Sequence, residues 1–415
     1  MFKILRNKNF SLLFFGRLIT NFGDSLYAIA AMLLVYKMSG STFYSGIALF
    51  LTSSTALIQL LLSPILDRIN MKKFLVNSQL LQAFLILIIP TLYYFEKLTV
   101  LHIMVIMPII SLINQLVYPG QISLLPKILS ENELLTGNSL MNMAYQGSNA
   151  VFDTLAGLTI AAWGFMVAFY IDTATFIVTA LLFSLLSNTL ALSSNPVDFS
   201  GGNALKKHFK ELKEGLSLFK DARIFALVCG IVLINFSATS ISAVLPAFAD
   251  NEIFYSLLLT AMGAGLLLGS LCSSSDFLKN LPLGKLYIYG MALTGFSWMG
   301  TSYFNSQQWI AVTLYALGWF IVGVVNVYAQ TMVQMIVPKE KLACAMGAMV
   351  GISSFLAPLG ALLGGWLGEY IGSPRLILIA SMLVILVSVY WAVNSSIRKL
   401  PKVSKFHEII TEINL

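Results

Sequence analysis

Apolar runs of some 20 residues, each closed by charges or turn-forming residues, follow one another along the whole chain. A run of that length crosses a bilayer as one helix. The pattern predicts spans over Phe10–Tyr36, Phe43–Leu66, Phe74–Phe95, Leu98–Tyr118, Asn138–Ala162 and Phe165–Leu186. Six more follow over Ile224–Phe248, Ile253–Ser273, Leu286–Phe304, Trp309–Ile336, Leu342–Tyr370 and Leu376–Val393. The narrowest break is the third, where only Glu96 and Lys97 interrupt the apolar sequence.

The longest polar stretch, about Ser187 to Arg223, falls between the sixth and seventh spans. It divides the chain into an expected six-helix bundle over 1–187, a linker over 188–223, a second six-helix bundle over 224–395 and a tail over 396–415. Ser193–Asn203, rich in Ser, Asn and Gly, has the composition of a flexible linker. Leu205, Phe209, Leu212, Leu216 and Phe219 then fall on one helical face, with Lys206, Lys207, Lys210, Glu211, Lys213 and Glu214 on the other. That stripe predicts an amphipathic helix on the cytoplasmic leaflet. The halves also echo each other. Leu134–Gly164 aligns without gaps on Leu342–Gly372 at an offset of 208, with Leu134/Leu342, Met141/Met349, Gly157/Gly365 and Gly164/Gly372 identical.

Composition sharpens this picture. Of 415 residues 58% are hydrophobic and 10% charged, against roughly 25% charged in soluble domains. The net charge of +7 is explained by loops rather than by nucleic acid. Of the 25 Lys and Arg residues, 21 fall on one side of the alternating spans. Lys37, Lys97 and Arg375 fall on the other, and Arg17 lies inside a span. The positive-inside rule then places both termini in the cytoplasm and supports an even number of helices. The basic residues Lys3, Arg6 and Lys8 precede an apolar run with no small-residue cleavage site, so this run reads as a retained first helix. The expected fold is therefore all-α, a multi-pass protein of the cell membrane with twelve helices in two pseudo-symmetric bundles.

No soluble-enzyme motif is visible: the sequence has no Walker loop, GxGxxG after a strand, HExxH or GxSxG. Its three histidines are scattered, and Cys229, Cys272 and Cys344 share no metal-like spacing. No enzyme activity, cofactor, metal or nucleic-acid partner is expected, and the expected state is a monomer.

The informative chemistry is charge inside the spans, where an ionisable side chain costs about 2.5–3.5 kcal/mol on insertion scales. Arg17, Asn21 and Asp24 share one face of the first span, continued by Tyr27. About 10 Å of helix axis separates Arg17 from Asp24 at 1.5 Å per residue, so the spacing predicts bridging through Asn21 or water rather than direct contact. Asn138, Asn142, Gln146, Asn149 and Asp153 form a second polar strip, and Asp172 sits beside Thr173 and Thr175 in the sixth span. Asp24, Arg17 and Asp153 are the proton-coupling candidates. Asn21, Tyr27, Asn114, Tyr118, Asn142, Gln146, Asn149, Asn235, Trp319 and Asn326 are candidates for a substrate cavity. A structural polar clasp between helices is the competing reading of each charge, and for Asp153 and Asp172 it is the preferred one.

The loop after the second span reads Ser63-Pro-Ile-Leu-Asp67-Arg68-Ile-Asn70-Met-Lys72-Lys73. With six-plus-six spans and a long central loop, it resembles the signature Gly-x-x-x-Asp-Arg-x-Gly-x-basic-basic of the major facilitator superfamily, with Ser63 and Asn70 at the glycine positions. Asp67, Arg68, Lys72 and Lys73 would form the gating loop. Arg6-Asn-Lys-Asn-Phe10, Gly16-Arg17-Leu-Ile, Phe22-Gly23-Asp24-Ser25, Leu125-Pro126, Glu133-Leu134-Leu135 with Asn138, Ile171-Asp172 with Phe176, and Pro358-Leu-Gly360 with Gly364-Gly365 are similar to the macrolide-efflux and enterobactin-exporter branch. Exporters of that kind carry Gly-Pro in the fifth helix; here Phe152-Asp153 takes its place. The resemblance implies proton-coupled antiport of amphipathic small molecules by alternating access. A uniporter, or a carrier of one metabolite or siderophore, and a lipid-handling or non-transporting scaffold stay open beside it.

Overall fold

The computed structural model describes residues 4–66, 69–187, 221–336, 349 and 351–402. All regular secondary structure among them is helical. The longer helices are α1 (Lys8–Ser39), α2 (Thr42–Leu66), α3 (Met71–Tyr94), α4 (Val100–Ile128), α5 (Glu131–Asn142), α6 (Asn149–Ser184), α7 (Ala222–Phe248), α8 (Glu252–Cys272), α9 (Leu283–Tyr303), α10 (Gln308–Ile336), α11 (Ala357–Ile371) and α12 (Ser373–Val393). The fifth predicted span is α5, a π turn at Met143–Gly147 and the first part of α6; the sixth is the rest of α6. Nine helices among the described residues are long and apolar enough to cross a membrane. The amphipathic stripe at 205–219, Asp67 and Arg68, and most of 337–350 lie outside the described residues.

Local chemistry sets the ends. The Asn7 side chain accepts from the Asn9 and Phe10 amides and starts α1. Gly40, at φ 64°, ends it in the left-handed conformation. Asn70 does at α3 what Asn7 does at α1, accepting from the Lys73 amide at 3.0 Å. Glu133 reaches back to the Ser130 amide at 3.2 Å and its hydroxyl at 2.8 Å, so the motif residue Glu133 closes a capping box on α5.

Exposed aromatics gather at the Lys/Arg-poor ends: Tyr93 and Tyr94 closing α3, Tyr303 and Trp309 at the α9–α10 turn, and Tyr370 closing α11. Such rings sit at a headgroup boundary, apolar on one side and wet on the other.

The chain folds as two compact units. One comprises Met1–Asp198 with Ala249–Thr260, the other Phe199–Phe248 with Ala261–Leu415. In the first, α1 packs along α6, α3 along α6 and α2 along α4; in the second, α7 meets α11 and α12, and α9 meets α10 and α12. The first unit includes the opening turns of α8, where Glu252 pairs with Lys37 and the Thr260 hydroxyl lies 2.7 Å from that of Thr154.

The repeat seen in sequence is a repeat in backbone geometry. Gly164 breaks α6 at φ 81°, ψ 172°, and Gly372 separates α11 from α12 at φ 84°, ψ 151°. L-residues rarely adopt that region, so both positions require glycine. The first helices of the units correspond at an offset of 214. A Cβ on Gly16 of α1 would stand 2.6 Å from the Phe183 ring, and one on Gly230 of α7 would stand 2.3 Å from the Trp391 ring. Phe183 and Trp391 are themselves 208 apart. In each unit, then, a glycine in the first helix admits a large ring from the sixth span.

Candidate functional site

The charged face of α1 carries a connected polar network inside the first unit. An Arg17 Nη donates to the Asn21 Oδ1 and, at 3.3 Å, to Asp24 Oδ2. The sequence spacing predicted no direct contact. The extended guanidinium closes the gap, because an arginine side chain reaches further than the two turns leave open. Arg17 is 3% exposed and Asp24 19%, so each charge is largely removed from water and the pair neutralises itself. Breaking one partner of such a pair strands the other, at several kcal/mol.

Asp24 has a second donor. The Asn114 amide of α4 meets Oδ1 at 2.9 Å, the Gln82 amide of α3 meets Asn114 Oδ1 at 2.7 Å, and the Gln79 amide lies 3.4 Å from Gln82 Oε1. Every amide donates toward the carboxylate, so the dipoles of three side chains add in one direction. The Asp24 carboxyl thus has a cation on one oxygen and an aligned donor chain on the other. The sequence pointed to Asn114; Gln79 and Gln82, two amides three apart in an apolar run, were the signal left unread.

Asn21 holds the backbone of the fifth span. Its Nδ2 lies 3.0 Å from the Ala144 carbonyl, 2.9 Å from the Tyr145 carbonyl and 2.8 Å from Ser148 Oγ, sharing two protons among three acceptors. These carbonyls lie in the π turn, where widened hydrogen bonding lets backbone oxygens turn outward. The turn also shifts the phase of the helix, so the strip from Asn138 to Asp153 is not one straight face. Asn138 bonds its own backbone at Leu134 and Asn142 is exposed. Asp153 is half-buried and receives a hydrogen bond from Ser25 of α1. The Gln146 and Asn149 side chains lie outside the described residues.

Tyr145, which sequence reasoning missed, receives the Arg17 guanidinium over its ring at 4.6 Å and stacks on Tyr118 at 3.9 Å and 10°. Tyr27 is buried in the α1–α6 seam against Phe169. Lys72 caps the end of the sixth span, donating to the Leu186 carbonyl at 2.7 Å, while Lys73 is exposed.

The second unit repeats the scaffold without the charges. Asn235, the counterpart of Asn21, donates to the Ser353 carbonyl at 2.9 Å, and Ser353 is the counterpart of Tyr145. The positions equivalent to Arg17, Asp24, Asp153 and Asp172 hold Ile231, Ala238, Ala361 and Ala380. Trp319 belongs to a cluster with Trp298 and Tyr315, and Asn326 is exposed. A hollow of about 290 Å³ in this unit, bounded by Phe236, Ser240, Leu363 and Leu383 among others, includes none of the predicted site residues. Among the described residues no group of His, Cys, Asp or Glu could hold a metal ion.

Helical spans in two repeated six-span halves, with buried charge in one of them, define a polytopic carrier protein. The model of the Major Facilitator Superfamily matches residues 13–349, and the chain belongs to that family. It is a transporter, not an enzyme. Among curated proteins it is similar to two uncharacterized MFS-type transporters of Bacillus subtilis (strain 168). YvqJ is 24% identical over 92% of this chain and 91% of its own length, and YfiS is 23% identical over 95% of each. Among solved structures, the bacterial homologue of the human lysosomal transporter Spinster, inward-facing and unoccupied, superposes with a TM-score of 0.68 at 11% identity, covering 92% of this chain and 95% of that one. The peptide transporter POT in complex with alafosfalin gives 0.69 at 13%, covering 95% and 96%. Likeness at that identity shows the fold alone.

Proposed function

We propose that this chain is a proton-coupled exporter of amphipathic small molecules, working by alternating access in the cell membrane of a bacterium, with both termini in the cytoplasm. The observation that carries the reading is the Arg17–Asp24 pair. Protonation of Asp24 removes the charge that balances Arg17 and frees the guanidinium for another partner, and deprotonation recaptures it. Asp24 retains 19% exposure, which gives water a route to the carboxyl. Asp153, half-buried beside Ser25, is the second acid of the coupling machinery. Asn21, Asn114 and Tyr118 are the polar groups of the first unit assigned to the substrate, and Asn235 is the counterpart of Asn21 in the second. The loop with Asp67, Arg68, Lys72 and Lys73 supplies the gate.

Amphipathic substrates and export follow from the resemblance of the first helix and the Pro358–Gly365 region to the macrolide-efflux and enterobactin-exporter branch. The driving force suffices: one charge moved through 100 mV yields about 2.3 kcal/mol, nearly fiftyfold in concentration at about 1.4 kcal/mol per decade. The test is uptake of an amphipathic dye into inverted vesicles holding the purified protein. An imposed proton gradient is expected to drive accumulation that collapses with an ionophore and is absent in Asp24→Asn. Accumulation indifferent to the gradient would turn the assignment to a uniporter, and accumulation retained in Asp24→Asn would remove Asp24 from the coupling.

A further inference from the structure

Among its described residues the first unit holds more buried acid than buried base. Arg17 is committed to Asn21 and Asp24. Asp172 of α6 is fully buried, with 0% exposure. Its Oδ1 has Thr175 Oγ1 at 3.3 Å, a residue of its own helix, and that hydroxyl also bonds the Asp172 carbonyl at 2.7 Å. Its Oδ2 has no hydrogen-bond partner. Among the described residues no hydrogen bond joins the Asp172 carboxyl to another helix. The carboxyl instead sits in a notch where α1 has no side chain: a Cβ on Gly23 would fall 2.2 Å from Asp172 Oδ1 and 2.2 Å from Thr175 Oγ1. One turn on, the Tyr27 hydroxyl of α1 is buried and also without a partner.

Among the described residues no cation faces this carboxyl. From α1 it meets Gly23 and the flanking Asp24 and Tyr27, while Arg17 stands six residues back, about 9 Å along the axis, turned to Asp24. The remaining ionisable groups of α1, Lys8, Tyr36 and Lys37, lie near its ends. On α3, which also packs on α6, the ionisable groups are Lys72, Lys73, Tyr93 and Tyr94, all at the ends. Lys72 is bound at Leu186, 14 residues or about 21 Å of helix from Asp172. On α6 itself, Tyr170 is exposed and Asp153 lies beyond the Gly164 break. An ionised carboxylate with one weak donor and no cation, next to the charge of Asp24, has nothing to offset the loss of its hydration.

We propose that Asp172 is a proton-binding site separate from Asp24, occupied in this conformation, with the neutral carboxyl seated in the Gly23 notch. The proton removes the charge that would otherwise oppose Asp24 across the seam. Loss of that proton sets two carboxylates against one guanidinium and forces α1 from α6 at Gly23. Packing of the two helices is therefore linked to protonation at Asp172, whatever the substrate and whether or not Asp24 couples transport.

Infrared difference spectroscopy on the full-length protein in lipid nanodiscs tests this without a transport assay. At neutral pH the wild type is expected to show a protonated carboxylic acid carbonyl band that is absent in Asp172→Asn and retained in Asp24→Asn. In Thr175→Val, which removes the one hydrogen bond to the carboxyl among the described residues, the band is expected to shift in frequency. Thr175→Val also serves if Asp172→Asn does not fold. Thermal stability is expected to be equal in sodium and choline chloride. Absence of a protonated band in the wild type, or a band unmoved by Thr175→Val, overturns the proposal. So does stabilisation by sodium but not choline, which would assign the notch to a metal cation.

Discussion

Asn21 and Asn235 stand at equivalent places in the two units, and each donates its side-chain amide to an equivalent backbone carbonyl of the fifth span, of Tyr145 and of Ser353. The two clamps differ in strength. Asn21 shares its protons among two carbonyls and Ser148, whereas Asn235 has the Ser353 carbonyl. The stronger clamp lies in the unit that carries the charges and holds the π turn beside them.

That difference predicts an order of stabilities. Interhelical side-chain hydrogen bonds in membranes average about 0.6 kcal/mol. Asn21→Leu, losing two donated protons and the acceptor of the Arg17 guanidinium, is expected to cost about 1.8 kcal/mol, and Asn235→Leu about a third of that. Thermal unfolding of the purified variants reads the order; an equal or reversed order would contradict the reading of the π turn as the held element.

The Arg17–Asp24 pair predicts non-additivity. Arg17→Leu and Asp24→Leu each strand a buried charge and should each destabilise by about 3–5 kcal/mol. The double variant should lose far less than the sum. A double-mutant cycle in thermal or denaturant unfolding checks this, and additive losses would mean that the contact contributes nothing.

Gly23 predicts a steric effect without loss of any polar group. Gly23→Ala drives a methyl to 2.2 Å from two oxygens of α6, and overpacking of that kind costs about 1–3 kcal/mol. Gly164→Ala meets no atom within 4 Å, yet is expected to lose about 1–3 kcal/mol from its positive φ alone. Gly372→Ala should match it. If Gly164→Ala were neutral in thermal unfolding, the break in α6 would not depend on glycine.

Outside the spans, Asp221 precedes α7 and binds the Arg223 side chain at 3.1 and 2.7 Å and its amide at 2.8 Å. Burial acts against the charge on Asp221, but the hydrogen bonds and charge of Arg223 outweigh it and hold the carboxyl below the usual carboxylate range. A folded-state value below the unfolded one means stability present above the unfolded value, near 3.9, and lost as pH falls through the folded one. Asp221→Ala should cost about 0.5–2 kcal/mol at neutral pH, and the difference from wild type should shrink in acid. A cost that stays constant with pH would rule out the ionised cap.

The alternation of apolar runs and charges determined the spans, since bilayer thickness fixes helix length whatever the tertiary contacts. Gly164 and Gly372 marked the repeat in sequence because a positive φ needs that residue type at both places. Asp24, Arg17 and Asn114 were legible because charge and amide groups in oil need a reason. The tertiary structure decided how they connect. It brought the Arg17 guanidinium onto Asp24, put the π turn under Asn21 and lined up Gln79, Gln82 and Asn114 behind the carboxylate. It also left Asp172 with no base. None of this follows from spacing on one helix, because a side chain's partner is set by the neighbouring helix that packs against it, and the glycines that admit such neighbours carry no chemistry of their own to be read.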